Sequence, residues 1–227
     1  MNMEKQQSEL IRRIASVVGH ELRNPLAVIN NSAYFVKTKL GSAKDRDPKV
    51  EKHLGIIAAE ISRADRLIAD MLAFSRPLEP KLEPVDLRAM ADEALKACVL
   101  PEHIKVKREG PKVKIMVLAD ARVLTDALRR IIDNAIEALP GAGSITVAVG
   151  AGDDAAFAEV RDTGPGFKAE IRDRIFEPFF TAKPRGLGLG LAMARKAAVS
   201  HRGRIEAKNA PDGGASVTLF VPKSRPL

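Results

Sequence analysis

The sequence predicts an α+β chain: an N-terminal helical hairpin that pairs with a second copy in a dimeric four-helix bundle, followed by an α/β sandwich with a mostly antiparallel sheet. Three observations predict it. Two apolar runs near the N-terminus step by four and three residues, the spacing of a heptad seam. Three prolines then interrupt the chain between Arg76 and Pro84, removing backbone donors and biasing the preceding residues away from helix. Beyond them, helical and strand periods are interleaved.

The first seam is Leu22, Leu26, Ile29, Ala33, Val36 and Leu40; the second is Val50, Leu54, Ile57, Ile61, Ala64, Ile68 and Met71. Gly41 to Pro48 is a polar turn between them. Two helices of this kind bury one stripe each against the other, so a second copy is needed to complete a bundle. The predicted division is residues 1–77 for the hairpin, 78–84 for a linker and 85–227 for the layered domain.

In that last part Asp86 to Val99 reads as a helix, Ile104 to Lys107 and Val113 to Leu118 as strands, and Asp120 to Leu139 as a long amphipathic helix. Ser144 to Val149, Ala156 to Arg161, Arg204 to Lys208 and Ala215 to Val221 are β-rich. Pro211-Asp212-Gly213-Gly214 joins the last two as a hairpin turn.

Composition narrows the function classes. The 227 residues are 45% hydrophobic and 29% charged, so the chain folds rather than staying disordered. Aromatics are only 4%, with no Trp, so the core is aliphatic and base-stacking platforms are disfavoured. The lone cysteine, Cys98, excludes an internal disulfide and a cysteine-based zinc site, and fits a reducing, cytoplasmic setting. No membrane-spanning run and no leader are read in the sequence. The net charge of +8 attracts anions, whether nucleotides, acidic protein surfaces or nucleic acid.

Four constellations carry chemistry. In Gly19-His20-Glu21-Leu22-Arg23-Asn24-Pro25-Leu26, His20 lies two residues before a seam position, about 200° round the helix, and points to solvent. Glu21 is adjacent, Asn24 lies one turn on, and Pro25 invites a kink. An exposed imidazole beside a carboxylate can act as an activated nucleophile; equally, a lone His-Glu pair is an ordinary surface histidine. In Asp162-Thr163-Gly164-Pro165-Gly166, directly after a strand, the glycines let backbone approach a ligand and Asp162 can accept a hydrogen bond from an exocyclic amine; alone, this is a tight turn. Phe176-Glu177-Pro178-Phe179-Phe180 precedes Gly186, Gly188 and Gly190, which open a helix whose N–H groups suit phosphate, with Lys183 and Arg185 adding charge. The spacing is neither a P-loop nor a dinucleotide fingerprint; alone, it is a flexible loop closing onto a helix, with the phenylalanines as core packing. Finally Arg130, Asn134 and Glu137 share one helix face, able to hold Mg²⁺ through oxygens and water, or simply solvated.

Taken in order, these motifs resemble the transmitter core of the sensor histidine kinases of two-component systems, over about residues 8–222. His20 to Leu26 looks like the H box, Asp133-Asn134-Ala135 the N box, Asp162 to Gly166 the G1 box, Phe176 to Phe180 the F box and Gly186 to Gly190 the G2 box. The resemblance implies a dimerisation and phosphoacceptor hairpin followed by a Bergerat-type ATP-binding domain. It implies phosphorylation of His20 with Glu21 as proton acceptor, transfer to an aspartate of a response-regulator receiver domain, and regulator dephosphorylation through water positioned by Asn24. ATP and Mg²⁺ would be bound by Asn134 on the metal, with Glu137 and Arg130 beside it. Asp162 would take the adenine amine, with Gly164 and Gly166 shaping the pocket and Thr218 supporting it. Lys183, Gly186, Gly188 and Gly190 would meet the phosphates. Arg130 stands where the N box usually has another asparagine, where it could touch phosphate or weaken the metal site. Leu187 replaces a small hydroxyl residue, and His201-Arg202-Gly203-Arg204 replaces a commoner His-Gly-Gly. His201 is read as a helix-end residue, His53 and His103 as surface residues. The partners expected are a second copy and a regulator, with no nucleic acid. Two rival readings are a phosphotransfer scaffold with a degenerate nucleotide fold, favoured by Arg130 and Leu187, and a basic nucleic-acid binder, for which no recognition motif is present.

Overall fold

A computed structural model of the chain describes residues 22, 26–38, 40, 48–181 and 187–223. The chain divides into two compact units, at Pro77 and Leu78. The predicted phosphoacceptor motif around His20 and the turn at residues 41–47 fall outside the described residues.

In the first unit, residues 26–38 are helical (α1) and Pro48–Ser75 forms a 28-residue helix (α2). Pro77 denies α2 a further turn. The predicted seam is visible in burial. Along α2, Ile61, Ile68 and Leu72 are buried. Nearer its start Val50 and Ile57 stay 38% and 40% exposed, and in α1 Val28, Ile29, Phe35 and Val36 are exposed as well. One copy of the chain leaves this apolar stripe open to water.

The second unit is an α/β sandwich. Its elements are β1 (Glu83–Asp86), α3 (Leu87–Lys96), β2 (Ile104–Glu109), β3 (Met116–Ala119), α4 (Ala121–Glu137), β4 (Gly143–Ala151), β5 (Ala155–Asp162), α5 (Ala169–Arg172), α6 (Gly190–Ser200), β6 (Arg204–Asn209) and β7 (Ala215–Pro222). A five-stranded sheet runs in the order β2-β4-β5-β7-β6. Only β2 and β4 pair in parallel; the other neighbours are antiparallel, as the sequence predicts. β1 and β3 form a separate antiparallel ribbon.

One face of the sheet packs on the helices. β5 alternates strictly, with Ala156, Ala158, Val160 and Asp162 turned inward. Their antiparallel partners Val217, Leu219 and Val221 lie on the same face. α4 answers with Leu124, Leu128, Ile131 and Ile132, each essentially inaccessible to water. Each such side chain contributes on the order of 1.5–3 kcal/mol by leaving water. The buried cluster is aliphatic, and Phe167 and Phe176 pack only at its margin.

Two helix starts explain the boundaries. Asp86, read as the first residue of a helix, is its N-cap: its carboxylate accepts from Arg88 N and, across the ribbon, from Ile115 N, both at 3.1 Å. Asp120 caps α4 through Val123 N at 3.2 Å. The segment expected as linker includes the first half of β1, because Pro84 is tolerated in a two-stranded edge ribbon.

Candidate functional site

Asp162 ends β5 on the helix-facing side, only 5% exposed. Its Oδ1 accepts from Gly164 N at 2.8 Å and from Ala215 N at 3.3 Å. Both bonds fall on one oxygen, so Oδ2 is the acceptor left for a ligand. Gly164 is packed so closely that a Cβ would sit 2.8 Å from that Oδ1 and 3.0 Å from Ala138 O at the end of α4. The β5 loop and the C-terminal end of α4 therefore meet.

The loop is held from a second side by Asn209, at the end of β6. Asn209 Oδ1 accepts from Phe167 N at 2.7 Å, and its Nδ2 donates to Phe167 O at 2.9 Å. Gly166 turns there with φ +74°, and Gly214, with φ +89°, lets the β6–β7 turn lie against Asp162: a Cβ on it would be 1.9 Å from Asp162 O. Sequence reasoning missed Asn209. The only signal was its place at the head of a hairpin turn, which says nothing of a partner 42 residues away.

On α4, Asn134 is half-buried and Glu137 exposed. Arg130, one turn before Asn134, is 12% exposed, and its Nε donates to Asp126 Oδ2 at 2.7 Å. Arg129 binds the other Asp126 oxygen at 2.8 Å and Asp133 at 2.6 Å. Burial works to raise the Asp126 pKa, but hydrogen bonds from Arg129 and Arg130 and their charges outweigh it and hold the carboxyl below its usual range. The arginine that departs from the N box is thus met by an anion on its own helix. Among the described residues no group of three or more His, Cys, Asp or Glu could hold a metal alone. A magnesium ion carried by phosphates and water needs only one or two protein ligands, and the side-chain amide oxygen of Asn134 is a donor of the right kind.

The F-box region and the glycines before α6 are stitched together. Phe179 takes a left-handed conformation (φ 65°) and its N–H donates to Gly188 O at 3.1 Å. Gly188, at φ +69°, approaches so closely that a Cβ would meet Phe180 O at 2.4 Å. α6 then begins at Gly190, with open space where a Cβ would sit, and its N-cap residue, Leu189, makes no side-chain capping bond. Its leading N–H groups are disposed for an anion.

The structure brings Asp162, Gly164 and Gly166 into one loop against the end of the helix that carries Arg130, Asn134 and Glu137. It does not bring Thr218 to them. Thr218 lies opposite Glu159, and Val217 opposite Val160, so Thr218 is on the sheet face away from Asp162. The expectation that it supports the same pocket is corrected by this one-residue parity. His20, Glu21, Asn24, Lys183 and Gly186 lie outside the described residues. His201 does end α6, but it is 4% exposed and bonded on both ring nitrogens, which the sequence did not disclose.

Comparison with known proteins bears on both units. The model of the His Kinase A (phospho-acceptor) domain matches residues 10–80, and that of the histidine kinase-, DNA gyrase B- and HSP90-like ATPases matches residues 119–225. The signal transduction histidine-protein kinase AtoS of Escherichia coli (strain K12) is 30% identical over 212 residues, 90% of this chain and 34% of AtoS. Among solved structures, the mycobacterial sensor histidine kinase MprB superposes with a TM-score of 0.55 at 27% identity, covering 64% of this chain and 99% of that one. The histidine kinase ThkA, solved in complex with the response regulator protein TrrA, shares the fold with a TM-score of 0.67 at 23% identity, covering 99% of this chain and 67% of that one. The chain spans 34%, 44% and 47% of the lengths of three curated relatives it matches.

Proposed function

This chain belongs to the histidine kinases, carrying their transmitter core of phosphoacceptor and ATPase domains in series, and from that premise we propose that it phosphorylates itself on His20 with ATP and passes the phosphoryl group to an aspartate of a response regulator.

The observation that carries this reading is the buried Asp162 with Oδ2 open to a ligand. A carboxylate acceptor there suits the 6-amino group of adenine and opposes the 6-oxo group of guanine, which is itself an acceptor. Gly164 and Gly166 keep side chains out of the purine's way. Gly188, Gly190 and the start of α6 suit the phosphates, and the positive charge of Lys183, close before them in the sequence with Gly186, favours the same anion. Asn134 would give Mg²⁺ a neutral oxygen, with Glu137 on the same helix face, and Asp126 offsets the positive charge that Arg130 brings to that helix. ATP, when bound with Mg²⁺, supplies an electrophilic γ-phosphorus whose charge the metal shields.

The His20 side chain provides the nucleophile. One ring nitrogen bonds to phosphorus as the bond to ADP breaks, and Glu21 receives the proton from the other nitrogen. Asn24, four residues along the sequence, positions water for hydrolysis of the phosphorylated regulator. A second copy covers the open seam at Val50, Ile57, Ile29 and Val36, completing a four-helix bundle. We place the reaction in the cytoplasm, in line with the lone half-buried Cys98. No helix among the described residues is long and apolar enough to cross a membrane.

The test is incubation with γ-labelled ATP and Mg²⁺. Wild type is expected to take up label that acid removes, and His20→Ala to take up none. Equal labelling of the two, or acid-stable label, overturns the proposal.

A further inference from the structure

His201 closes α6 and is sealed from water, yet it reaches no part of the site described above. Its Nδ1 lies 2.7 Å from Ala197 O, one turn back on α6, and its Nε2 accepts the Asp120 backbone N–H at 3.0 Å. A carbonyl on one side and an N–H on the other fix the tautomer: Nδ1 carries the proton and donates it. Asp120 in turn caps α4 through Oδ1 and accepts Lys81 N with Oδ2 at 3.1 Å. Burial works to raise the Asp120 pKa, but N–H groups of Lys81, Val123 and Arg122 outweigh it and hold the carboxyl below its usual range. One residue thus ties the segment before β1, the start of α4 and the end of α6.

The two helices pack along one another, so joining the end of α6 to the start of α4 makes them antiparallel. The 11 residues of α6 rise about 16 Å, which carries its glycine-rich start level with Ile131 on α4. That is the stretch bearing Arg130 and Asn134. The helix that carries Asn134 and the helix that opens at Gly190 are thus tied at the opposite end of the pair through one imidazole.

We infer that His201 is a positioning residue for the nucleotide site, setting the register of α6 on α4 and hence the spacing between Asn134 and the N–H groups at Gly190. The inference rests on the proposal that ATP binds there. Without the His201 bond, the part-buried Asp120 N–H loses its partner, and α6 gains freedom to shift along α4.

The experiment uses the whole chain with ATP and Mg²⁺, titrated calorimetrically at a temperature where circular dichroism shows every variant folded. His201→Phe keeps a planar aromatic ring, somewhat larger, and loses both bonds. It is expected to weaken ATP binding about tenfold and to speed amide exchange over residues 188–193. His201→Gln keeps an acceptor within reach of Asp120 N and is expected to recover most of the affinity. Binding of ATP by His201→Phe within about twofold of wild type, whatever its melting temperature, overturns the inference. Should His201→Phe not fold, His201→Asn, too short to reach Asp120 N, replaces it; equal affinities of the Asn and Gln variants overturn the inference. Failure of wild type to bind ATP refutes the nucleotide reading instead. The register role is then decided by exchange over 188–193: acceleration by the substitution supports it, and unchanged exchange overturns it.

Discussion

Asn209 grips both backbone polar groups of Phe167, accepting from its N–H at 2.7 Å and donating to its carbonyl at 2.9 Å. The pair works as one rung of a ladder between a strand end and a loop that has no strand of its own. Both residues are solvent-accessible enough that each bond contributes only about 1 kcal/mol. What the clamp fixes is the path of the loop from Asp162 through Gly166. Asn209→Ala is therefore expected to lower stability by about 1–2 kcal/mol while weakening ATP binding about tenfold, read by denaturant unfolding and nucleotide titration. A stability loss with unchanged affinity would show that the loop holds its shape without the clamp.

Gly214 is a harsher case. Its φ is +89°, and a Cβ would fall 1.9 Å from Asp162 O, a backbone atom that cannot step aside without moving the Asp162 carboxylate proposed to meet adenine. Gly214→Ala combines left-handed strain with that collision. The expected result is a loss of more than about 3 kcal/mol in stability and no measurable ATP binding. Gly213, in the same turn with φ +90° but open space around it, bears only the strain. Gly213→Ala is expected to cost about 1–2 kcal/mol and leave affinity near wild type. Equal effects at the two glycines would contradict this assignment.

What could be read in advance follows the range of the interactions. α4 announces itself because Leu124, Leu128, Ile131, Ile132 and Ala135 repeat at the helical period and all are buried. β5 alternates without a break from Ala156 to Asp162. The motif loops were legible because glycine and proline act locally. β1 and α5, four residues each, are too short to show a period, and Pro84 argues against strand unless its strand lies in a small ribbon. Asn209 and His201 owe their roles to partners 42 and 81 residues away, which no local pattern encodes. Thr218 was misplaced for a related reason: sheet parity depends on the register with β5, and a shift of one residue exchanges the faces.

Arg130 invites a test of charge balance. Asp126 holds Arg130 at 2.7 Å and Arg129 at 2.8 Å, so the local field at Asn134 includes both signs. Arg130→Asn is expected to change the Mg²⁺ concentration for half-maximal phosphorylation by less than about threefold, because the arginine's charge is already offset. Asp126→Asn leaves both guanidinium groups without that anion and is expected to raise the Mg²⁺ requirement by about fivefold or more. If the arginine substitution produces the larger shift, Asp126 is not neutralising it.

Cys98 gives the pH dependence. Its Sγ donates to Ala94 O at 3.2 Å, and burial first, then the charge of Asp133 and a hydrogen bond to it, push the thiol up to about 12 from an ordinary value of 9.0. At pH 8 the thiolate is therefore roughly a thousandfold scarcer than in an unfolded chain, and alkylation by iodoacetamide is expected to be slower in the native protein by a comparable factor. The stability consequence has a definite sign. The folded state favours the protonated thiol, so its contribution is fully present below about pH 9 and is lost as pH rises toward about 12. Lysines titrate in the same window, which makes the difference between wild type and Cys98→Ala the quantity to follow. That difference in denaturant midpoint is expected to be flat from pH 6 to about 8.5 and then to move against wild type as pH climbs. A difference that stays flat to pH 11, or rapid native alkylation at pH 8, would place the thiol near its ordinary value and show that neither burial nor Asp133 holds it up.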